Sequence, residues 1–209
     1  MLLYDCETAP SPRRARIAFA EKGVDVEKRQ VDLGKGEQFT PAFKAINPAC
    51  TVPVLELDDG SYITENEGIV RYLEEVYAEP PLMGVTPLEK ARVAEWNFKV
   101  GFDGLLAIAE AFRNSAKGLK NRALTGPRDY EQIPELVQRG FARTEAFSEV
   151  LNNRLRDNEF IAGDHFSVAD ITAVVALDFA VKMKLPILDK FEHLARWHAQ
   201  IAQRPSYKA

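Results

Sequence analysis

The chain has 209 residues, 46% hydrophobic and 28% charged, an ordinary globular composition long enough for one large domain or two small ones. Its formal charge of −4 argues against a protein held on nucleic acid by phosphate contacts, and no apolar run nears the roughly 18 residues needed to span a bilayer. The opening run, Met1 to Cys6, lacks the basic n-region of a secretory signal, so the cytoplasm is the expected location.

Strand and helix signals alternate over residues 1 to about 78. Leu2 to Cys6 reads as a strand, with Cys6 as a small core residue. Arg13 to Lys22 reads as a helix stopped by Gly23. Arg13, Arg14 and Arg16 crowd its first turn, where cations oppose the helix dipole. They are either solvent-facing or a source of positive potential for an anion. Val26 to Val31 alternates as a second strand. Thr40-Pro41 opens a short helix with proline at its tolerated first position. Cys50, expected to be partly exposed, precedes a loop; the two cysteines form no C-x-x-C pair and are too few for a disulfide framework. Val54 to Leu57 and Tyr62 to Thr64 form a hairpin about Asp59-Gly60. Ile69, Val70, Leu73, Val76 and Tyr77 then recur at helical spacing over Asn66 to Tyr77.

Pro80-Pro81 breaks this pattern, and the remainder is helical. Thr86-Pro87-Leu88-Glu89 is a capping box with proline at the first helical position. Helices are predicted over about 88–115, 134–156, 168–182 and 189–203. Ser167-Val168-Ala169-Asp170 is a second capping box whose expected job is folding. The basic stretch 117–128, with Gly118, Gly126 and Pro127, reads as a mobile loop, either a solvated connection or a rim favouring anionic substrates. His165, His193 and His198 have no ligand spacing, so no metal is expected. The expected organisation is residues 1–79 as one domain, 80–87 as a linker and 88–209 as an all-helical domain.

The most informative stretch joins Thr51-Val52-Pro53-Val54-Leu55 to Glu65-Asn66. A proline belongs at the edge or start of a strand, which leaves the backbone of Val52 free to pair with a peptide-like ligand as an added strand would. Glu65 and Asn66 bring a carboxylate and exposed amides to a helix N-terminus, suited to a ligand carrying both an ammonium and a carboxylate.

These residues, in the order Asn47-Pro48, Val52-Pro53, Glu65-Asn66, Phe160-Ile161-Ala162-Gly163-Asp164 and Ser167-Val168-Ala169-Asp170, resemble the cytosolic glutathione transferases of bacterial, serine- or cysteine-using type along essentially the whole chain. The resemblance implies an α/β thioredoxin-like N-terminal domain, residues 1–79, that binds glutathione, followed by the all-α domain. It implies a homodimer with glutathione as co-substrate, acting on small hydrophobic or electrophilic molecules in a detoxifying role. By family position Val52, with Pro53, pairs with the cysteinyl backbone of glutathione. Glu65 and Asn66 hold its γ-glutamyl end, where serine or threonine is commoner than Asn66. Gln38 meets the glycyl carboxylate, with Lys35 a possible source of charge because Thr51 stands where many relatives carry lysine or arginine. Phe102 and Leu106 fall near the electrophile.

The thiol needs a donor. Glutathione's thiol should titrate near the free-cysteine value of roughly 8.5, leaving only a few per cent thiolate at neutral pH. Lowering it by about two units takes roughly 2.7 kcal/mol. One hydrogen bond to the charged form supplies about 1.5–3 kcal/mol, and a helix N-terminus adds up to ~1 kcal/mol. One well-aimed donor is enough. Within Ala9-Pro10-Ser11-Pro12, the serine or cysteine of theta-, omega- and zeta-like relatives aligns with Ala9, which has no donor. Ser11 aligns with the cysteine of beta-like relatives. Ser11, by hydroxyl or backbone amide, is therefore the expected thiolate donor, with Thr8 and Tyr4 as alternatives. The expected reaction is conjugation of the thiolate to an electrophile. The alternatives are glutathione-dependent disulfide or peroxide reduction, or a non-catalytic transferase-fold binding protein.

Overall fold

A computed structural model describes all residues, 1–209, and divides them into two compact units. The first gathers Met1–Pro80 with Thr125–Asp129 and Ala209; the second comprises Pro81–Leu124 and Tyr130–Lys208.

The first unit runs β1 (Leu2–Asp5), α1 (Pro10–Glu21), β2 (Glu27–Gln30), a 3-10 turn (Glu37–Phe39), α2 (Pro41–Ile46), β3 (Val54–Glu56), β4 (Tyr62–Ile63) and α3 (Asn66–Val76). Its four strands lie in the order β2-β1-β3-β4, the first pair parallel and the other two antiparallel. This is the thioredoxin-like arrangement. The parallel β1–β2 pair requires a crossover, and α1 supplies it. The hairpin β3–β4 closes on Gly60, whose φ of 83° is the left-handed conformation that favours glycine.

Burial follows the strand period of two. Tyr4, Val54, Val52, Val31 and Phe43 make one buried cluster, with α2 supplying Phe43. Leu3 and Leu55, paired in register and fully buried, point the other way. Helices α1 and α3 pack together, and their buried residues include Ala15, Ala18, Ile69 and Leu73. All four residues of the edge strand β2, Glu27-Lys28-Arg29-Gln30, are exposed, and their charges discourage edge-to-edge pairing.

Two ion pairs, one buried and one partly buried, fix α1. Arg16 reaches Asp5 across 2.5 Å and also donates to the Glu7 carbonyl, while Gln30 donates to the other Asp5 oxygen. These bonds set the turn between β1 and α1. At the other end Lys22, its side chain fully buried, pairs with Glu74 at 2.6 Å and donates to the Pro80 carbonyl.

The second unit contains α4 (Pro87–Lys99), a π-helical turn (Val100–Leu105), α5 (Leu106–Ser115), a 3-10 turn (Lys117–Leu119), α6 (Pro134–Arg156), α7 (Val168–Lys182), α8 (Ile187–Lys190), α9 (Glu192–Ile201) and a final 3-10 turn (Pro205–Lys208). Helix α7 is buried almost all round, as a central helix must be. Gly140 lets α6 approach α5 closely: a Cβ there would lie 2.6 Å from the Ala107 carbonyl oxygen. Of the stretch 117–128 expected to be a mobile loop, the part up to Leu124 belongs to this unit and is tied to it by hydrogen bonds. Arg113 donates to the carbonyls of Arg122 and Leu124, and Gln132 to those of Arg113 and Ala116. No helix is long and apolar enough to cross a membrane.

Candidate active site

The start of α1 is built by an unusual run of residue types. Ala9 caps the helix in extended conformation and offers no side-chain acceptor, while its own N–H bonds back to the Cys6 carbonyl. A helix leaves its first N–H groups without intrahelical partners. Pro10 and Pro12 have no N–H at all, so the amide of Ser11 is the one orphan donor left in the first turn. The helix begins three residues earlier than the sequence predicts, and Ser11 sits at its second position rather than at the cap. One residue thus brings both an amide and a hydroxyl to the positive end of the helix.

The Ser11 hydroxyl is held by two donors. Asn66 Nδ2, at the first position of α3, donates to Ser11 Oγ across 2.8 Å, and Arg14 Nη2 donates to the same oxygen across 3.3 Å. A hydroxyl oxygen has two lone pairs. Both are occupied, and neither an amide NH2 nor a guanidinium can accept in return. The hydroxyl hydrogen is therefore left to donate outward. Asn66 is itself buried, and its Oδ1 has no partner.

Two of the three arginines at the start of α1, Arg14 and Arg16, are not the solvent-facing charges that their crowding allows. Arg16 is buried against Asp5, and the Arg14 side chain is only 16% exposed. Burial lowers the Arg14 pKa, against the opposing pull of Glu67 and Glu65; Glu67 lies 4.0 Å from its guanidinium. Sequence reasoning meets Arg14 only as one of three crowded cations and does not pair it with Ser11. Its proximity to Ser11, three residues earlier on one helix, was the available signal.

Val52 lies one step outside the β3 ladder. Its side chain is buried, the Val52–Pro53 bond is cis, and neither its N–H nor its C=O enters a backbone hydrogen bond. Asn47 frames the approach: its Nδ2 donates to both oxygens of Thr51, and its Oδ1 accepts from the Ala49 N–H. Cys50 is buried rather than partly exposed, with φ of 55°. Cys6 departs in the other direction. It lies just past β1, half-buried, 3.6 Å from the Thr8 hydroxyl.

Glu65 is the N-cap of α3, exposed, and its side chain makes no capping bond. A carboxylate that does not close its own helix remains available to a cation. Gln38 is buried in the 3-10 turn with Oε1 unpartnered. Lys35 is turned to solvent and pairs with Asp32 at 3.2 Å. The structure thus joins Ser11, Asn66 and Arg14 directly. It gives Gln38 no hydrogen bond to that group.

Tyr4 is committed elsewhere. Its hydroxyl donates to Glu56 at 2.8 Å, and burial together with that carboxylate pushes its pKa up to about 12. In the second unit Phe98, Phe102 and Leu106 are exposed, the two rings stacked at 5.8 Å. Asp170 is wholly buried and structural: it accepts from the N–H groups of Ile161 and Ser167, the Ser167 hydroxyl and Trp197 Nε1.

Comparison with known proteins gives a consistent picture. The glutathione S-transferase N-terminal domain model matches residues 8–76, and the C-terminal domain model matches residues 120–205. The chain is 36% identical to glutathione S-transferase 2 of Saccharomyces cerevisiae, covering all of this chain and 88% of that one. The crystal structure of Gtt2 from that yeast superposes with a TM-score of 0.91, at 36% identity over 100% of this chain and 99% of the other. A glutathione S-transferase domain-containing protein of Marinobacter aquaeolei is 40% identical, with 99% of both chains covered and a TM-score of 0.90. A maleylacetoacetate isomerase of Pseudomonas aeruginosa is 30% identical over 100% of this chain and 94% of its own.

Proposed function

Because this chain belongs to the glutathione S-transferase family, we propose that it conjugates the thiolate of glutathione to small electrophiles, with Ser11 as the donor that stabilises the thiolate. The observation that carries this reading is the state of the Ser11 oxygen. With two donors already on it, the hydroxyl can only donate, and a sulfur anion is an acceptor. The Ser11 amide adds a second donor at the same helix end.

Residues 1–79 would hold the tripeptide, with 80–87 as a linker to the helical residues 88–209. The free N–H and C=O of Val52, which precedes Pro53, pair with the cysteinyl backbone as an added strand. Glu65 takes the γ-glutamyl ammonium and Asn66 its carboxylate end, while Gln38 meets the glycyl end. The thiol proton leaves to solvent. The thiolate then forms a carbon–sulfur bond as the leaving group departs with its electron pair. The protein supplies position and charge stabilisation rather than the nucleophile. The exposed apolar side chains Phe102 and Leu106 suit a hydrophobic co-substrate. A homodimer working in the cytoplasm in a detoxifying role completes the reading.

Calorimetric titration with glutathione, followed by conjugation assays on a panel of aryl halides, tests it. Saturable binding with thioether product is expected. No heat and no uptake at millimolar tripeptide would overturn it.

A further inference from the structure

We infer that Arg14 is a positioning residue that fixes the Ser11 hydroxyl as a donor toward the bound thiolate. The inference rests on the proposed role of Ser11 and adds the group that enforces it.

The geometry leaves Ser11 only one role. Asn66 alone would occupy one lone pair and leave the hydroxyl free to rotate between donating and accepting. Arg14 Nη2, at 3.3 Å, occupies the second. A guanidinium never accepts a hydrogen bond and keeps its charge across the working pH range. A charged donor on the oxygen also polarises the O–H bond and strengthens what it donates. Arg14 is held for this. Its side chain is largely buried, three residues along the helix from Ser11, with its charge balanced from α3 by Glu67 at 4.0 Å and by Glu65. Of the neighbouring cations on α1, Arg16 is committed to Asp5 and the Glu7 carbonyl. Arg14 Nε, buried without a partner, leaves Nη2 as the contact that orients the group at Ser11.

The test is ultraviolet titration of the bound thiolate in the full-length protein, comparing wild type with Arg14→Met, Arg14→Gln, Ser11→Ala and the double variant Ser11→Ala/Arg14→Met. Arg14→Met should raise the bound thiol's pKa by about 0.5–1 unit, a three- to tenfold loss of thiolate below that pKa. Arg14→Gln, which keeps a neutral donor, should shift it less in the same direction. In the Ser11→Ala background, Arg14→Met should add nothing, because the arginine acts through the hydroxyl. Should Arg14→Met not fold, the Gln variant and its Ser11→Ala double carry the same comparison.

An unchanged pKa in a folded, glutathione-binding Arg14 variant overturns the inference while leaving Ser11 as donor. An equal shift with and without Ser11 also overturns it, since the charge would then act on sulfur directly. A wild-type protein that does not bind glutathione, or a Ser11→Ala variant with unchanged thiol pKa, removes the underlying reading instead, and this inference with it.

Discussion

Asn66 Nδ2 donates to Ser11 Oγ across 2.8 Å, joining the first turn of α3 to the first turn of α1 over 55 positions of sequence. Two helix N-termini thereby share one polar contact. A residue expected to grip one end of glutathione is also the residue that orients the donor for its sulfur.

Ser11→Ala removes the hydroxyl but keeps the amide. Loss of one hydrogen bond to a charged group is worth about 1.5–3 kcal/mol, so the bound thiol's pKa should rise by about 1–2 units. Conjugation at neutral pH should slow roughly ten- to a hundredfold. Ultraviolet titration of thiolate and the pH–rate profile check both. No change would assign the thiolate to Thr8 or to the Ser11 amide.

Asn66→Asp reverses the polarity of the contact. An acceptor in place of Nδ2 would capture the Ser11 hydrogen, turning the hydroxyl away from sulfur. The thiol's pKa should then rise by about as much as in Ser11→Ala, although Ser11 is intact. The added negative charge should also weaken glutathione binding, because the γ-glutamyl carboxylate lies close by. Thiol titration beside calorimetry separates the two effects. A bound thiol titrating as in wild type would remove Asn66 from the control of Ser11.

Glu65 stands at a helix N-cap without serving as one. Its replacement by alanine should therefore cost the helix little and the ligand much. Glutathione affinity should fall by about 1.5–3 kcal/mol, roughly ten- to a hundredfold, with the melting temperature of the apo protein nearly unchanged. Affinity equal to wild type would show that the tripeptide's amino end is held elsewhere.

What the sequence made readable was mostly local. Both capping boxes are present: Thr86 with Glu89, and Ser167 with Asp170. Gly23 adopts a positive φ just after α1, and Thr40 caps α2. Each depends on residues within four positions of one another. The start of α1 is not legible in the sequence because Ala9 gives no cap signal and the prolines of Pro10-Ser11-Pro12 look like a breaker. The π turn at Val100–Leu105 has no residue signature, and its sequence reads as continuous α-helix. Burial of Arg14 and Arg16 was illegible for another reason. Their acceptors and neighbours, Asp5, Glu7, Ser11 and Glu67, converge only once β1, α1 and α3 have packed. Charge at a helix start reads as exposed until a partner brought by the fold says otherwise. The same reasoning applies to Asn66, whose contact with Ser11 no spacing rule reports.

Asp170 offers a prediction about stability, with a sign set by its burial. Desolvation pushes its pKa up to about 6, more than its four hydrogen bonds pull it down. A carboxyl with a folded pKa above its unfolded value binds more protons when folded. Its stabilising contribution is fully present below about pH 4 and is lost as pH rises through about 6. A shift of about two units corresponds to roughly 3 kcal/mol across that window. Asp170→Ala should do more damage, leaving the N–H groups of Ile161, Ser167 and Trp197 buried and unpaired, at a cost of about 3–5 kcal/mol. Asp170→Asn keeps the shape and some acceptors but no longer titrates. Denaturant unfolding of wild type and Asp170→Asn between pH 4 and 7 should therefore show a gap that narrows as pH rises. A gap that widens would mean the hydrogen bonds outweigh burial and the carboxylate is the favoured form.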